Sequence, residues 1–140
     1  MKIRDYQKGD YDGVISVWEA TGVGDKKRGD NAQIIEQSIK MGGKMLILEY
    51  HYNIIGTSWM TFDGRRIHLH HLAVLPEYQN QGYGKLLTKK SIQFAKETGF
   101  QIKLEVHSAN LQAINLYKKI RFEYLGDYDI YIIRNLNNKV

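Results

Sequence analysis

The 140-residue chain has no cysteine and a single proline, Pro76. Without cysteine there is no disulfide framework, no thiol nucleophile and no thiolate ligand for zinc. The missing disulfides agree with a reducing cytosol. Long apolar runs are absent too, since no stretch approaches the length of a membrane span. The first residues, Met1-Lys2-Ile3-Arg4-Asp5-Tyr6, alternate in polarity like a strand and lack the apolar core of a signal peptide. Repeats, linkers and low-complexity segments are also missing. The chain therefore reads as one soluble, cytoplasmic domain over residues 1–140, long enough to bury a substantial core.

The formal net charge of +5 suits an anionic partner and equally suits an ordinary solvated lysine surface. Lys85, Lys89, Lys90, Lys96, Lys118 and Lys119 are spread out, and there is no arginine-rich arm. Nucleic-acid binding is not expected.

Hydrophobic periodicity and turn residues divide the chain into alternating elements. Residues 2–6 read as a strand, and Asp10 is placed to cap a helix running to Thr21. Gly22 to Gly29 is polar and glycine-rich, hence a loop, after which Asp30 or Asn31 caps a helix to about Met41. Lys44–Tyr50 and Ile54–Phe62 read as strands joined by a hairpin at His51-Tyr52-Asn53, and Asp63-Gly64 turns into a further strand, Arg65–Val74. A helix runs from about Gly82 to Gly99, a short strand over Ile102–Val106, a helix over Ala109–Ile120, and two strands over Phe122–Tyr124 and Asp127–Ile133. The order is β-α-α-β-β-β-α-β-α-β-β. The expected fold is α/β, with a mixed, mostly antiparallel sheet of six to seven strands flanked by helices.

Chemistry concentrates at Gln79-Asn80-Gln81-Gly82-Tyr83-Gly84, between the apolar run His68–Leu75 and the helix that follows. A glycine turn that opens a helix points several unpaired backbone N–H groups at one place, and the helix dipole adds partial positive charge there. Glycine lets a phosphate approach the backbone closely. The turn is a candidate anion site.

Leu72-Ala73-Val74-Leu75-Pro76 followed by Gln79-x-x-Gly82-x-Gly84 resembles the acyl-CoA-binding signature of the GNAT superfamily of N-acetyltransferases. Asn110-x-x-Ala113-x-x-x-Tyr117-x-Lys119-x-x-Phe122 resembles that family's later motif. The resemblance extends more loosely over the whole chain. It implies that acetyl-CoA is the acyl donor, with no metal, and that a primary amine attacks directly in a ternary complex. It further implies that Gln79, Asn80, Gln81, Gly82, Tyr83, Gly84 and Lys85 hold the pyrophosphate, and that Leu72, Ala73 and Val74 hold the pantetheine and thioester. A bulge would leave main-chain groups of that strand unpaired. The Leu72 N–H would then donate to the thioester oxygen, a contact worth roughly 3–4 kcal/mol at other oxyanion sites.

The resemblance makes Tyr117 the general acid for the leaving thiolate, with Asn110 either touching pantetheine or capping the helix. His68 and His70 are candidate bases. An amine of pKa near 10.4 is free base in only about 1 molecule in 2,500 at neutral pH, a deficit of roughly 4.6 kcal/mol, so a proton must be removed. Histidine titrates in the right range. Strand alternation expects His68, His70 and Leu72 on one face with His71 opposite. The residues alone also allow histidines that merely bond polar neighbours. Glu49 and Glu105 are further candidate bases. Trp59 and Tyr128 are candidate aromatic walls for the acceptor, Trp59 reads equally as core, and Trp18 is better read as core. Arg121 stands where the family usually has a glycine closing the helix. A non-catalytic acyl-CoA-binding module of the same fold is the alternative, and a homodimer is left open.

Overall fold

The computed structural model describes residues 1–24 and 28–137. One sheet has the order β1-β2-β3-β4-β5, built from β1 (Lys2–Asp5), β2 (Lys44–Tyr50), β3 (Asn53–Phe62), β4 (Ile67–Val74) and β5 (Ile102–Leu104). The first four strands pair antiparallel, and β5 pairs parallel to β4. A parallel pair needs a long crossover, supplied here by α3 (Tyr83–Thr98). The hairpin between β2 and β3 turns through His51 and Tyr52, both with positive φ, as a two-residue turn that matches strand twist requires.

Residue alternation along β2 shows why two cores form. Leu46 and Leu48 join Met60, Leu69 and Leu87 of α3. Met45 and Ile47 face the other way, with Val14, Val17 and Trp18 of α1 (Tyr11–Thr21) and Ile35 of α2 (Ala32–Lys40). The sheet is thus sandwiched between α1 and α2 on one side and α3 on the other. Asn31 caps α2, its side chain accepting from the Ile34 N–H at 2.9 Å. Asp10 instead accepts from the Gln7 N–H at 2.7 Å, closing a short 3-10 turn ahead of α1. Within the expected loop 22–29, residues 25–27 lie outside the described residues.

Gly43 joins α2 to β2 where a Cβ would lie 2.5 Å from the Met60 carbonyl oxygen and 2.7 Å from that of Ser38. Neither backbone oxygen has a flexible end to give way. Gly43→Ala should therefore lower the unfolding free energy by about 3 kcal/mol, the upper range for overpacking, as read by chemical denaturation.

The last helix, α4 (Leu111–Lys119), is capped by Asn110, whose Oδ1 accepts from the Ala113 N–H at 3.2 Å. Arg121 takes the left-handed conformation, φ 78°, that the missing glycine would have taken. Its N–H bonds to Lys118 O at 3.3 Å and the Phe122 N–H to Tyr117 O at 3.0 Å, the paired closure of a Schellman motif. Contact between the Tyr117 and Phe122 rings, 5.6 Å between centroids, supports this closure, so the strain is tolerated and the helix ends as it would with glycine.

Beyond α4 the expectation fails. Phe122–Tyr124 and Asp127–Ile133 form no strands, and the sheet among the described residues has five strands rather than six or seven. The reason lies in their would-be neighbour. β5 has only three residues, so it offers a short ladder, and a two-stranded hairpin without a broad template is marginal in water. Among the described residues no helix is long and apolar enough to cross a membrane.

Candidate active site

Pairing between β4 and β5 runs from Ile67 with Ile102 to Leu69 with Leu104 and stops there. Among the described residues, the edge of β4 that faces β5 has no strand beside it from His70 to Val74. The last paired residues open onto a shallow depression lined by His68, Leu69, His70, Lys103, Leu104 and Glu105.

On its other side β4 carries a bulge. Thr57 pairs with Ala73 but Trp59 pairs with His70, so the single residue Ser58 faces both His71 and Leu72. His71 takes φ 32° at this point. The extra residue overturns the expected facing. Leu72 packs with the α3-side core, while Ala73 packs with the α1-side core. His71 lies on the same side as His70 rather than opposite, its ring 4.5 Å from Trp18 and 5.4 Å from Trp59. The stacking of His68 and His70, 6.2 Å apart, agrees with the alternation expected before the bulge.

Each histidine has a partner. His68 Nε2 bonds Asp63 Oδ2 at 2.9 Å, and that bond, followed by the Arg65 N–H, holds the Asp63 carboxyl below its ordinary pKa. His70 Nε2 bonds Thr61 Oγ1 at 2.7 Å. Desolvation, then the neighbouring His71 and His68, bring the His70 pKa down to about 4. His70 is nonetheless exposed on the face of β4. His70 is neutral at working pH. Because the unfolded chain takes up this proton first, the stability His70 contributes is present above pH 6.5 and lost as pH falls toward 4. His70→Gln should flatten the pH dependence of the melting temperature in that window.

His71 was not expected to matter, and its partner Asp30 was expected only as a cap. The His71 side chain is 3% exposed and its Nε2 lies 2.9 Å from Asp30 Oδ2. The bulge carbonyl of His71 accepts from Thr57 Oγ1 at 2.9 Å, and Thr57 accepts from Trp18 Nε1 at 2.9 Å. Trp18 and Trp59 stack at 5.7 Å and are both buried, so both are core rather than acceptor walls. These bonds tie α1 and the entry to α2 to the bulge in β4. Asp30→Ala leaves a buried imidazole unpaired and should destabilise the fold by about 2 kcal/mol, measurable by denaturant titration. Glu49 is held in an ion pair with Arg4 at 3.0 Å, and Arg4 also grips Asp10 at 2.7 Å, which removes Glu49 as a free base. Tyr128 is 76% exposed and walls nothing.

The turn into α3 has the conformation its sequence suggests. Asn80 (φ 62°) and Gly82 (φ 89°) are both left-handed, and a Cβ on Gly82 would meet nothing within 4 Å. The first inward hydrogen bond of α3 runs from the Leu86 N–H to Gly82 O at 3.0 Å. The N–H groups of Tyr83, Gly84 and Lys85 come before it, in the turn that has no intrahelical acceptor. Space, donors and the nearby Lys85 fit a phosphate-bearing group. Gln79 plays another part: its Nε2 donates to Val74 O at 2.8 Å, fastening the turn to the end of β4. α4 is held against this turn, with Gln112 Nε2 donating to Asn80 Oδ1 at 3.0 Å and a Cβ on Gly84 coming 3.6 Å from Leu116 Cδ2. Tyr117 follows Leu116, and burial raises its pKa above 10.0. Among the described residues no group of three or more His, Asp or Glu could hold a metal ion.

A strand with an open edge, running into a glycine turn at a helix N-terminus, defines an α/β protein whose cleft ends on unpaired N–H donors. The comparisons place it further: the model of the Acetyltransferase (GNAT) family matches residues 11–122, and the chain belongs to that family. It is 32% identical over 100 residues to the thialysine N-epsilon-acetyltransferase of Mus musculus, a match covering 71% of this chain and 54% of that one. The match to the Bos taurus enzyme of the same name is 37% over 70 residues, 49% of this chain and 41% of the relative. The chain thus spans about half the length of these relatives. An acetyltransferase of Yersinia pestis (strain Pestoides F) is 26% identical over 125 residues, 88% of each chain. Among solved structures, an acetyltransferase from Streptococcus agalactiae 2603 superposes with a TM-score of 0.79 at 18% identity, covering 94% of this chain and 90% of that one. The ribosomal-protein-S18-alanine N-acetyltransferase of Escherichia coli superposes with a TM-score of 0.75 at 20% identity, covering 87% and 77%. Both show the same fold.

Proposed function

We propose that this protein transfers an acetyl group from acetyl-CoA to a primary amine by direct attack in a ternary complex, in the cytoplasm. The observation that carries this reading is the unpaired β4 edge, residues 70–74, running straight into the α3 turn. Acetyl-CoA supplies the activated acetyl group. Residues 80–85 hold its pyrophosphate through backbone N–H groups, and the main chain of Leu72, Ala73 and Val74 pairs with the pantetheine arm as an added strand would. The Leu72 N–H, or that of its bulge neighbour, meets the thioester oxygen as it gains charge. Asn110 presents the start of α4, and Tyr117 gives its proton to the departing thiolate.

The amine's proton leaves through the paired histidines. His68, backed by Asp63, accepts it through water, while His70, held by Thr61 and with its pKa lowered by desolvation, is the weaker base of the two. No cysteine is present to form an acyl-enzyme. The relatives' name directs the acceptor search to thialysine and other lysine-like amines.

The test is acetyl-CoA-dependent thiol release with thialysine, lysine, polyamines, aminoglycosides and peptides with free N-terminal amines. Turnover with one acceptor class supports the reading. Tight acetyl-CoA binding without turnover on any of them would point to the non-catalytic CoA-binding alternative.

A further inference from the structure

One peptide unit in the β4 bulge is held by side chains that the chemistry described above does not use. Thr57 of β3 is fully buried, and its Oγ1 donates to the His71 carbonyl oxygen at 2.9 Å. Trp18 Nε1 donates to the same Oγ1 at 2.9 Å. An indole only donates and a carbonyl only accepts, so the single hydroxyl proton of Thr57 is committed to His71. The His71 carbonyl and the Leu72 N–H belong to one peptide unit. That unit is planar and trans, so the two bonds point in opposite directions. A carbonyl drawn to Thr57 turns the Leu72 N–H away from β3, to the edge of β4 that has no strand beside it among the described residues. Val74 shows that edge in use. Alternation gives it the same direction as Leu72, and its carbonyl accepts from Gln79 Nε2 at 2.8 Å.

Local preference does not hold the bulge in this setting. His71 sits at φ 32°, a strained value for a residue with a Cβ, and such values persist only where the surroundings impose them. Here Asp30 Oδ2 takes the His71 ring at 2.9 Å, while Thr57 takes the carbonyl. We propose that Thr57, backed by Trp18, is the positioning residue for the oxyanion donor: its hydroxyl fixes the His71–Leu72 peptide so that the Leu72 N–H faces the thioester oxygen. This rests on the acetyl-transfer reading above. The hydroxyl acts in two ways. It sets the direction of the N–H in advance, so nothing has to reorient as charge develops on the oxygen. It also polarises the amide, since a peptide whose carbonyl accepts a hydrogen bond donates more strongly through its N–H.

Thr57→Val, Thr57→Cys and Thr57→Ser test this. Valine keeps the shape without the hydroxyl, the thiol of cysteine is a weak donor, and serine keeps the hydroxyl without the methyl. Thr57→Val should lower kcat roughly 30-fold, short of the roughly 100- to 1,000-fold that follows outright loss of an oxyanion donor. Acetyl-CoA affinity should stay within about threefold, because the weakened contact belongs to the transition state. Thr57→Cys should fall between, and Thr57→Ser should keep kcat within about threefold of the parent. A packing role alone would leave the Leu72 amide proton unmoved. On binding a dethia ketone analogue of acetyl-CoA, with a methylene in place of the thioester sulfur, that proton should shift downfield in the parent and in Thr57→Ser. It should shift less in Thr57→Val, while the Ala73 amide, on the residue paired with Thr57, stays in place. Parent-like kcat in Thr57→Val overturns the proposal, as it does in Thr57→Cys should valine prevent folding. A Leu72 amide that ignores the analogue in the parent overturns it too, and so does a serine variant as slow as valine. If the parent turns over no acceptor, the acetyl-transfer reading fails by itself, and the Leu72 amide still decides whether Thr57 sets the donor.

Discussion

Tyr117→Phe should lower kcat by about 100-fold while leaving the affinity for acetyl-CoA within about threefold, the lower end of what a positioned general acid contributes. Only the hydroxyl is removed. The ring remains, so its contact with Phe122 and the closure of α4 persist, and the melting temperature should hardly move. Burial raises the phenol's pKa, so the group stays protonated throughout the working range and has a proton to give. A loss confined to kcat is the signature of a contact made only as the thiolate departs. If kcat for Tyr117→Phe stays within threefold of the parent, another group or water supplies that proton.

Gly82→Ala should weaken acetyl-CoA binding by about 10- to 30-fold, equivalent to about 1.4–2 kcal/mol. The variant introduces two effects. The left-handed backbone at φ 89° strains any residue with a Cβ by about 1–2 kcal/mol, and the Cβ itself enters the space in front of the helix N-terminus. Gly99 separates them. It is also left-handed, at φ 83°, with open space around its Cβ position, but it closes the other end of α3. Gly82→Ala and Gly99→Ala should lose similar stability, by about 1 kcal/mol. Only the first should lose affinity, by isothermal titration with acetyl-CoA. Equal affinities in the two variants would remove the α3 turn from the binding site.

Much of the site could be read before any coordinates. The glycine turn, the strand before it and the start of α3 are written in neighbouring residues, because a helix start depends on local capping and on a backbone only glycine adopts freely. A cap for α2 at Asp30 or Asn31 was legible for the same reason, as was the hairpin at His51–Asn53, and the structure assigns the cap to Asn31. The expected facing along β4 failed at one residue. Whether a strand carries a bulge depends on the register of its partner, and Ser58 facing both His71 and Leu72 has no signature within β4 itself. That single insertion turned His71 inward against Trp18 and joined it to Asp30, which lies 41 residues away in the chain. Gln79 looked like a phosphate ligand from its place in the motif, and its tie to Val74 O is visible only in three dimensions.

By itself the sequence determined the element order up to α4, the glycine turn that opens α3 and membership of an acyltransferase-like pattern, all consequences of period and near-neighbour chemistry. Tertiary structure decided which histidines share a face, that Glu49 is consumed by Arg4, that Arg121 closes α4 as glycine would, and that the C-terminal segment stays off the sheet. Each of these depends on a partner distant in sequence, or on the length of a neighbouring strand. In the last case the segment has every local mark of a strand, and the three-residue β5 offers it too short an edge.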